Sequence, residues 1–286
     1  MPEALWQKTA AAQAEAVRGG EVSAAELVES HLERIAEVNP RVNAVTQLMA
    51  ERARAAAELT DRRRAAGEEL GPLAGVPFTV KETTPVEGVP TTFGVPRFRD
   101  LVARADAPPV ARLRAAGAIP IGHANMPTLV LAGMHTRSEL FGDTANPWDP
   151  ARTPGGSSGG DAVAVATGMA ALGLGNDSGG SIRVPAQFCG VAGLKPTTGR
   201  FPADHRVLGP EDPGPASQAL VTDGPFARSV ADLRLAYEAL AGTDPRDPRA
   251  VPVPAYGPPL TGPVKVAVVA DPGGRGVHPS VRAAVA

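Results

Sequence analysis

The sequence has 286 residues with 28 Lys plus Arg against 30 Asp plus Glu; the formal net charge of -2 gives no broad electrostatic hold on nucleic acid or an anionic membrane. Hydrophobic residues make up 43% and aromatics 4%, with 32 glycines and 30 prolines, so a core of Ala, Val and Leu carrying many shaped loops is expected, not disorder. One cysteine, Cys189, excludes an internal disulfide and a multi-thiolate metal site, and it reads as a small buried apolar residue in a reducing compartment.

The N-terminus has no apolar signal core and no apolar run approaches membrane-spanning length, which predicts a cytoplasmic protein without membrane attachment. Residues 4–18 and 23–38 read as amphipathic helices, the second opened by the capping-box pair Ser23 and Glu26 and closed before Pro40. A third helix is expected over 49–67. Short apolar runs bounded by Gly and Pro follow: strands at Val76–Val80 and Ala118–Gly122, with a helix near 109–116 between them. Asp161–Ala170 reads as a helix buried all round and Ala171–Gly175 as a central strand. Residues 201–224 read as loop and Ser229–Ala241 as a serine-capped helix. The proline-rich stretch 242–263 reads as a connector, Val264–Ala270 as a buried strand, and Pro279–Ala286 as the start of a helix. The alternation indicates an α/β layered domain.

Two glycine and serine clusters abut the most apolar segments: Gly155-Gly156-Ser157-Ser158-Gly159-Gly160 and Asn176-Asp177-Ser178-Gly179-Gly180-Ser181. Glycine between buried elements marks unusual backbone angles or a close approach of ligand to main chain. In the second cluster, the consecutive amides of Ser178, Gly179, Gly180 and Ser181 could converge as an oxyanion hole beside the Ser181 hydroxyl, although a tight turn fits the same residues. A serine nucleophile needs a base. Gly156 to Gly160 formally satisfies G-x-S-x-G, but residues 149–154 contain two prolines and cannot be the strand that such an elbow requires. His31, His123, His135, His205 and His278 hold no persuasive positions and read as structural or surface residues. No zinc-protease or phosphate-loop pattern occurs, so neither metal nor cofactor is expected.

The chain uses arginine for nearly all its positive charge; the only lysines are Lys8, Lys81, Lys195 and Lys265. Lys81 directly follows the apolar run Val76–Val80, where its amine could point inward. Desolvation lowers an amine from about 10.4 by several units, enough to make a neutral base, which arginine cannot supply. A strand-end lysine reaching out to solvent fits the sequence equally well.

The collinear segments Gly71–Lys81, Asn125-Met126-Pro127, Asn146-Pro147-Trp148, Arg152–Gly160, Asn176–Ala186 and Cys189–Thr197 resemble the amidase signature family over essentially the whole chain. The resemblance implies an α/β fold with a mixed sheet sandwiched between helices. The expected layout is a single domain: N-terminal helices 1–68, a catalytic core 69–241, the connector 242–263 and the start of a C-terminal part at 264–286. It implies cleavage of a small-molecule carboxamide, with Ser181 as nucleophile, Ser157, after a cis peptide at Gly156, as proton relay, and Lys81 as base. Amides from Ser178 to Ser181 would bind the oxyanion, and Ser158, Asp177 and Arg183 would support the loop. Lys195 would be structural. Thr128–Gly133, with Leu129, Val130 and Leu131, would line part of an acyl pocket, pointing to an apolar acyl group. A homodimer is compatible with this reading.

Two features depart from the family pattern. Members commonly carry Lys-Asp-Asn where this chain has Lys81-Glu82-Thr83, and they usually extend well beyond position 286, so a fragment is expected. The alternatives are the amidase component of a tRNA-dependent amidotransferase, disfavoured because residues 200–224 lack a Ser-Arg-Tyr-Gly type sequence, and a truncated non-catalytic amidase-like protein.

Overall fold

The computed structural model describes residues 4–131, 133–204, 206, 214–259, 261–269, 271 and 273–285. They fall into two compact units, Met1–Ala255 and Tyr256–Ala286.

In the first unit, the expected opening helix is broken. A 3-10 turn at Leu5–Gln7 precedes α1 (Ala10–Gly19), because the Thr9 hydroxyl accepts from the Ala12 N–H at 3.2 Å and caps a new start. Ser23 and Glu26 form the predicted capping box of α2 (Ala24–Val42). That helix does not close before Pro40 but runs on to Val42. A proline in the last turn forfeits only its own N–H, and the Asn39 side chain gathers the exit by accepting from the N–H groups of Ala44 and Val45 at 2.8 and 2.9 Å. There follow β1 (Val45–Leu48), α3 (Ala50–Ala65), β2 (Pro77–Lys81), α4 (Pro108–Ala115), β3 (Ile119–Ala124) and a short hairpin, β4 (Arg137–Ser138) with β5 (Gly142–Asp143). Then come α5 (Gly159–Ala166), β6 (Leu172–Asp177), α6 (Arg183–Cys189), β7 (Ala192–Gly193), α7 (Pro215–Leu220), β8 (Thr222–Ala227) and α8 (Val230–Leu240), the last capped by Ser229 as expected.

The main sheet has six strands in the order β1-β3-β2-β6-β8-β7. Its centre, β3-β2-β6, is parallel, and the flanking pairs β1-β3, β6-β8 and β8-β7 are antiparallel. The parallel trio therefore ends together at Ala124, Lys81 and Asp177. One face of the sheet carries a core built from α2, α3, α5 and Phe226; the other packs Phe78, Val80, Leu172 and Leu174 against α4 and α8.

Five strands escape the sequence: β1, β4, β5, β7 and β8. β1 is only four residues long, β4, β5 and β7 have two residues each, and β8 begins in the stretch read as loop and ends beyond it. Its Gly224 and Pro225 argue against a strand, yet all six of its residues are buried. Proline is tolerated because Leu194 N–H donates to the Pro225 carbonyl at 3.1 Å and no donor is asked of the ring nitrogen. A Cβ on Gly224 would run into the Leu194 carbonyl. α5 starts two residues earlier than expected, at Gly159. A Cβ on Gly160 would meet the Asn125 backbone and, at 2.8 Å, the Ala44 carbonyl. Gly160→Ala is expected to cost about 3 kcal/mol by overpacking; differential scanning calorimetry should show a fall in melting temperature of roughly 6 to 12 °C.

The second unit contains α9 (Pro279–Val285). The buried strand expected at Val264–Ala270 is not there: residues 264–269 have no regular structure, with Val264, Val266, Val268 and Val269 between 62% and 77% exposed, and Ala270 lies outside the described residues. An alternating apolar run becomes a strand only beside another strand, and this unit offers none among its described residues. His205, in the 201–224 segment, also lies outside the described residues. No helix among the described residues is long and apolar enough to cross a membrane.

Candidate active site

Strand alternation aims Lys81. Along β2, Phe78 and Val80 enter the core against α4 and α8, so Thr79 and Lys81 face α5 on the other side. The Thr79 hydroxyl donates to Asp161 Oδ1 of α5 at 2.8 Å. Lys81 is 0% exposed, which rules out the solvent-reaching alternative. Its Nζ lies 2.6 Å from Ser157 Oγ and 2.6 Å from Asn176 Oδ1. Burial pushes the amine down to about 8, against the opposing pull of Asp161, Asp223 and Asp177. Burial likewise pushes the Asp161 carboxyl up to about 7, and its Oδ2 has no hydrogen-bond partner among the described residues.

Ser157 is delivered by glycines that admit backbone to backbone. Gly155, at φ 81°, packs on the backbone of Val184 and Pro185, and Gly156 lies against the carbonyls of Gly133 and His135. The Gly156–Ser157 peptide is cis. Ser158, fully buried, donates its N–H to the Ser181 carbonyl at 3.1 Å and its hydroxyl to the Asn176 carbonyl at 3.2 Å. Space for Ser158 exists because residue 175 is glycine: a Cβ there would sit 2.7 Å from Ser158 Oγ.

The second cluster turns around Asp177, the last residue of β6. Its buried carboxylate accepts from the N–H groups of Gly180, Ile182 and Arg183 at 2.7, 3.0 and 3.3 Å, and from Arg183 Nε and an Nη at 3.0 and 2.9 Å. Burial alone would raise this acid, but the Arg183 guanidinium and the three main-chain donors hold it well below the usual carboxylate range. The Gly180 amide is thus already engaged. Those of Ser178, Gly179 and Ser181 have no partner among the described residues, and neither does the half-buried Ser181 hydroxyl.

Of the residues singled out from the sequence, the fold brings Lys81 and Ser157 into direct contact. Through Ser158 it ties Ser181 to the same segment, and it wraps Ser178–Ser181 around Asp177 and Arg183. Val130 makes no hydrogen bond to any of them; its N–H donates to the Pro127 carbonyl at 2.9 Å. It follows Leu129, and both have left-handed backbones, φ 64° and 52°, a conformation that a β-branched residue adopts only when its surroundings impose it. The loop beyond it reaches the site through the carbonyls that flank Gly156 and through Met134, whose Cε would lie 3.9 Å from a Cβ on Gly180. Cys189 is buried, as read, with its thiol pushed up to about 12 by burial.

The sequence did not single out Asn176, Thr83 or Asp161. A polar residue directly following an apolar run, as Asn176 follows Ala171–Gly175, was the signal that could have found one of them. Glu82, noted only as a departure, points away from Lys81 and accepts from Thr92 N–H at 2.9 Å, Thr92 Oγ1 at 2.8 Å and the Gln47 amide. It thereby anchors the turn whose Phe93 carbonyl receives the Leu129 N–H at 2.9 Å. Burial raises the Glu82 carboxyl to about 7. Among the described residues, no cluster of His, Cys, Asp or Glu is gathered for a metal ion.

Comparison with known proteins places the chain in a family. The profile of the Amidase family matches residues 26–286. The chain is 48% identical over 281 residues to the indoleacetamide hydrolase of Bradyrhizobium diazoefficiens, covering 98% of this chain and 53% of that protein. It is 43% identical over 273 residues to a component of the glutamyl-tRNA(Gln) amidotransferase of Synechococcus sp. strain WH7803, covering 93% of this chain and 54% of that one. Among solved structures, a bacterial aryl acylamidase superposes with a TM-score of 0.80 at 35% identity, over 86% of this chain and 50% of the other. The chain spans about half the length of the curated relatives it matches.

Proposed function

This chain belongs to the amidase signature family, and on that premise we propose that it hydrolyses a carboxamide to a carboxylate and an amine or ammonia through an acyl ester on Ser181. The observation that carries the proposal is the contact of 2.6 Å between Ser157 Oγ and an Nζ wholly removed from water. A lysine so placed gives up its proton near pH 8 and not near 10.5, so the neutral amine that serves as base is partly present at neutral pH and predominates above pH 8.

Ser181 Oγ attacks the amide carbon while its proton passes to Ser157 Oγ and the Ser157 proton passes to Lys81 Nζ. The negative oxygen is held by the amides of Ser178, Gly179 and Ser181, with the Gly180 amide shared with Asp177. The carbon–nitrogen bond then breaks, and the leaving nitrogen takes a proton back along the same row. Water repeats the sequence on the acyl ester, releasing the acid and restoring Ser181. No cofactor is required.

The exposed apolar turn at Leu129, Val130 and Leu131 supports an apolar acyl group. The similarity to an indoleacetamide hydrolase makes an aromatic acetamide the first substrate to assay. The similarity to an amidotransferase component supports a second reading, in which the amide nitrogen goes to glutamyl-tRNA(Gln); ammonia transfer to that tRNA by a reconstituted complex, without free amidase activity, would establish it instead. A fluorophosphonate probe should label this chain on Ser181, with labelling lost in Ser181→Ala. Undiminished labelling of Ser181→Ala would overturn the nucleophile, and an unlabelled wild-type chain would favour a non-catalytic amidase-like protein.

A further inference from the structure

The contact between Lys81 and Ser157 has a second partner that the relay above does not use. Nζ makes two hydrogen bonds among the described residues, to Ser157 Oγ and to Asn176 Oδ1, each 2.6 Å. On its far side, the Asn176 amide donates from Nδ2 to Thr83 Oγ1 at 2.8 Å. The four side chains form one row, Thr83, Asn176, Lys81 and Ser157, across the carboxyl ends of β2 and β6 and the entry to α5. Thr83 and Asn176 are half-buried, so the row runs from the open edge to the fully enclosed amine.

We infer that Asn176 is a positioning residue for the proton relay, taking one N–H of the neutral Lys81 amine so that the lone pair is left for Ser157, with Thr83 holding the Asn176 amide in place. The inference rests on the amide-hydrolase proposal above. A neutral amine has two N–H donors and one lone pair. A carboxamide oxygen can only accept, so it never occupies the lone pair, whereas a donor at that point would compete with the Ser157 hydroxyl for it. With one N–H pinned, rotation about the Cε–Nζ bond is arrested and the base meets its proton donor in one geometry. An anchored amide also keeps net charge away from the amine; the acids already facing Lys81 are Asp161 of α5, Asp177 of β6 and Asp223 of β8.

Asn176→Asp is the decisive variant, because it keeps the acceptor oxygen and shape but adds a charge that favours the ammonium. The titration of Lys81 can be followed directly by the ¹³Cε shift, since the chain has only four lysines. The expected result is a Lys81 titration at least one pH unit higher than wild type. The acid limb of kcat/KM and of the fluorophosphonate labelling rate should move with it. At pH 7 kcat should fall by about 10- to 100-fold, with recovery in alkali and KM held within about threefold. Thr83→Val should lower kcat without raising KM, and Thr83→Ser should restore it.

A Lys81 titration unmoved in Asn176→Asp, with the wild-type chain labelled on Ser181, overturns the positioning role alone. A wild-type chain unlabelled at every pH overturns the hydrolase proposal and the relay with it. Should Asn176→Asp not fold, the threonine pair decides: equal kcat in Thr83→Val and Thr83→Ser overturns the inference.

Discussion

Lys81→Met should lose turnover by about 10⁴-fold and yet melt at a higher temperature than the wild-type chain near pH 7. The catalytic loss is that of the base in the relay, at the upper end of what one proton-transfer group contributes. The stability gain follows from burial. An amine whose value falls from 10.5 to about 8 on folding costs roughly 3 kcal/mol whenever it must be buried protonated. The sign follows from proton counting. Between about pH 8 and 10.5 the unfolded chain holds a proton that the folded chain has released, so wild-type stability rises with pH across that window and is lower by the full amount below it. Methionine has no such proton. Its advantage should therefore be largest below pH 8 and shrink toward pH 10, which separates the effect from the loss of hydrogen bonds to Ser157 and Asn176, a loss common to every pH. Chemical denaturation at pH 7 and pH 10, with kcat/KM at each, tests both halves. Lys81→Arg keeps the charge but supplies no neutral base, and it too should be inactive; turnover retained by that variant would remove the lysine from the mechanism. In the wild type, kcat/KM should climb to a plateau above pH 8.

Asp177→Ala should be the most damaging single truncation around the nucleophile. It leaves the amides of Gly180, Ile182 and Arg183 and the Arg183 guanidinium without their shared acceptor. Arg183 is 56% exposed and returns to water, so the cost lies in the main-chain donors left unsatisfied, on the order of 1 to 3 kcal/mol for each one that stays buried. The oxyanion amides lie on the turn that this carboxylate organises, so kcat should fall by about 10²- to 10³-fold. The pH dependence carries a further mark. A carboxylate held below its unfolded value of 3.8 contributes stability that is complete above about pH 4 and is lost as pH falls below it. Asp177→Ala should have a flatter acid side to its stability profile, measurable by urea unfolding from about pH 5 down to about pH 2. A kcat within threefold of wild type would show that the loop holds its shape by other means.

The site was legible where chemistry demands particular residues at particular places. Lys81 stands out because it is one of four lysines and ends an apolar run; the serine clusters stand out because glycine beside buried strands has few structural uses. β1 and β8 were not legible: one is too short to show a period, and the other contains a glycine and a proline whose acceptability depends on Leu194 lying alongside. The run Val264–Val269 shows the reverse error, since a strand pattern is an offer of edges that a neighbour must accept.

From the residues alone came the α/β class, the capped helices, the family and the candidate proton-transfer residues, because each depends on local propensity, periodicity or a motif contiguous in the chain. Tertiary structure alone decided that Lys81 faces Ser157 and not solvent, that Asn176 and Thr83 stand beside it, that Asp161 lies beneath Thr79, and that Glu82 anchors a distant turn. These pairings join residues 76 to 95 positions apart on the relay side. Such contacts are set by strand register and by which face of β2 meets α5, and no local preference of the chain encodes either.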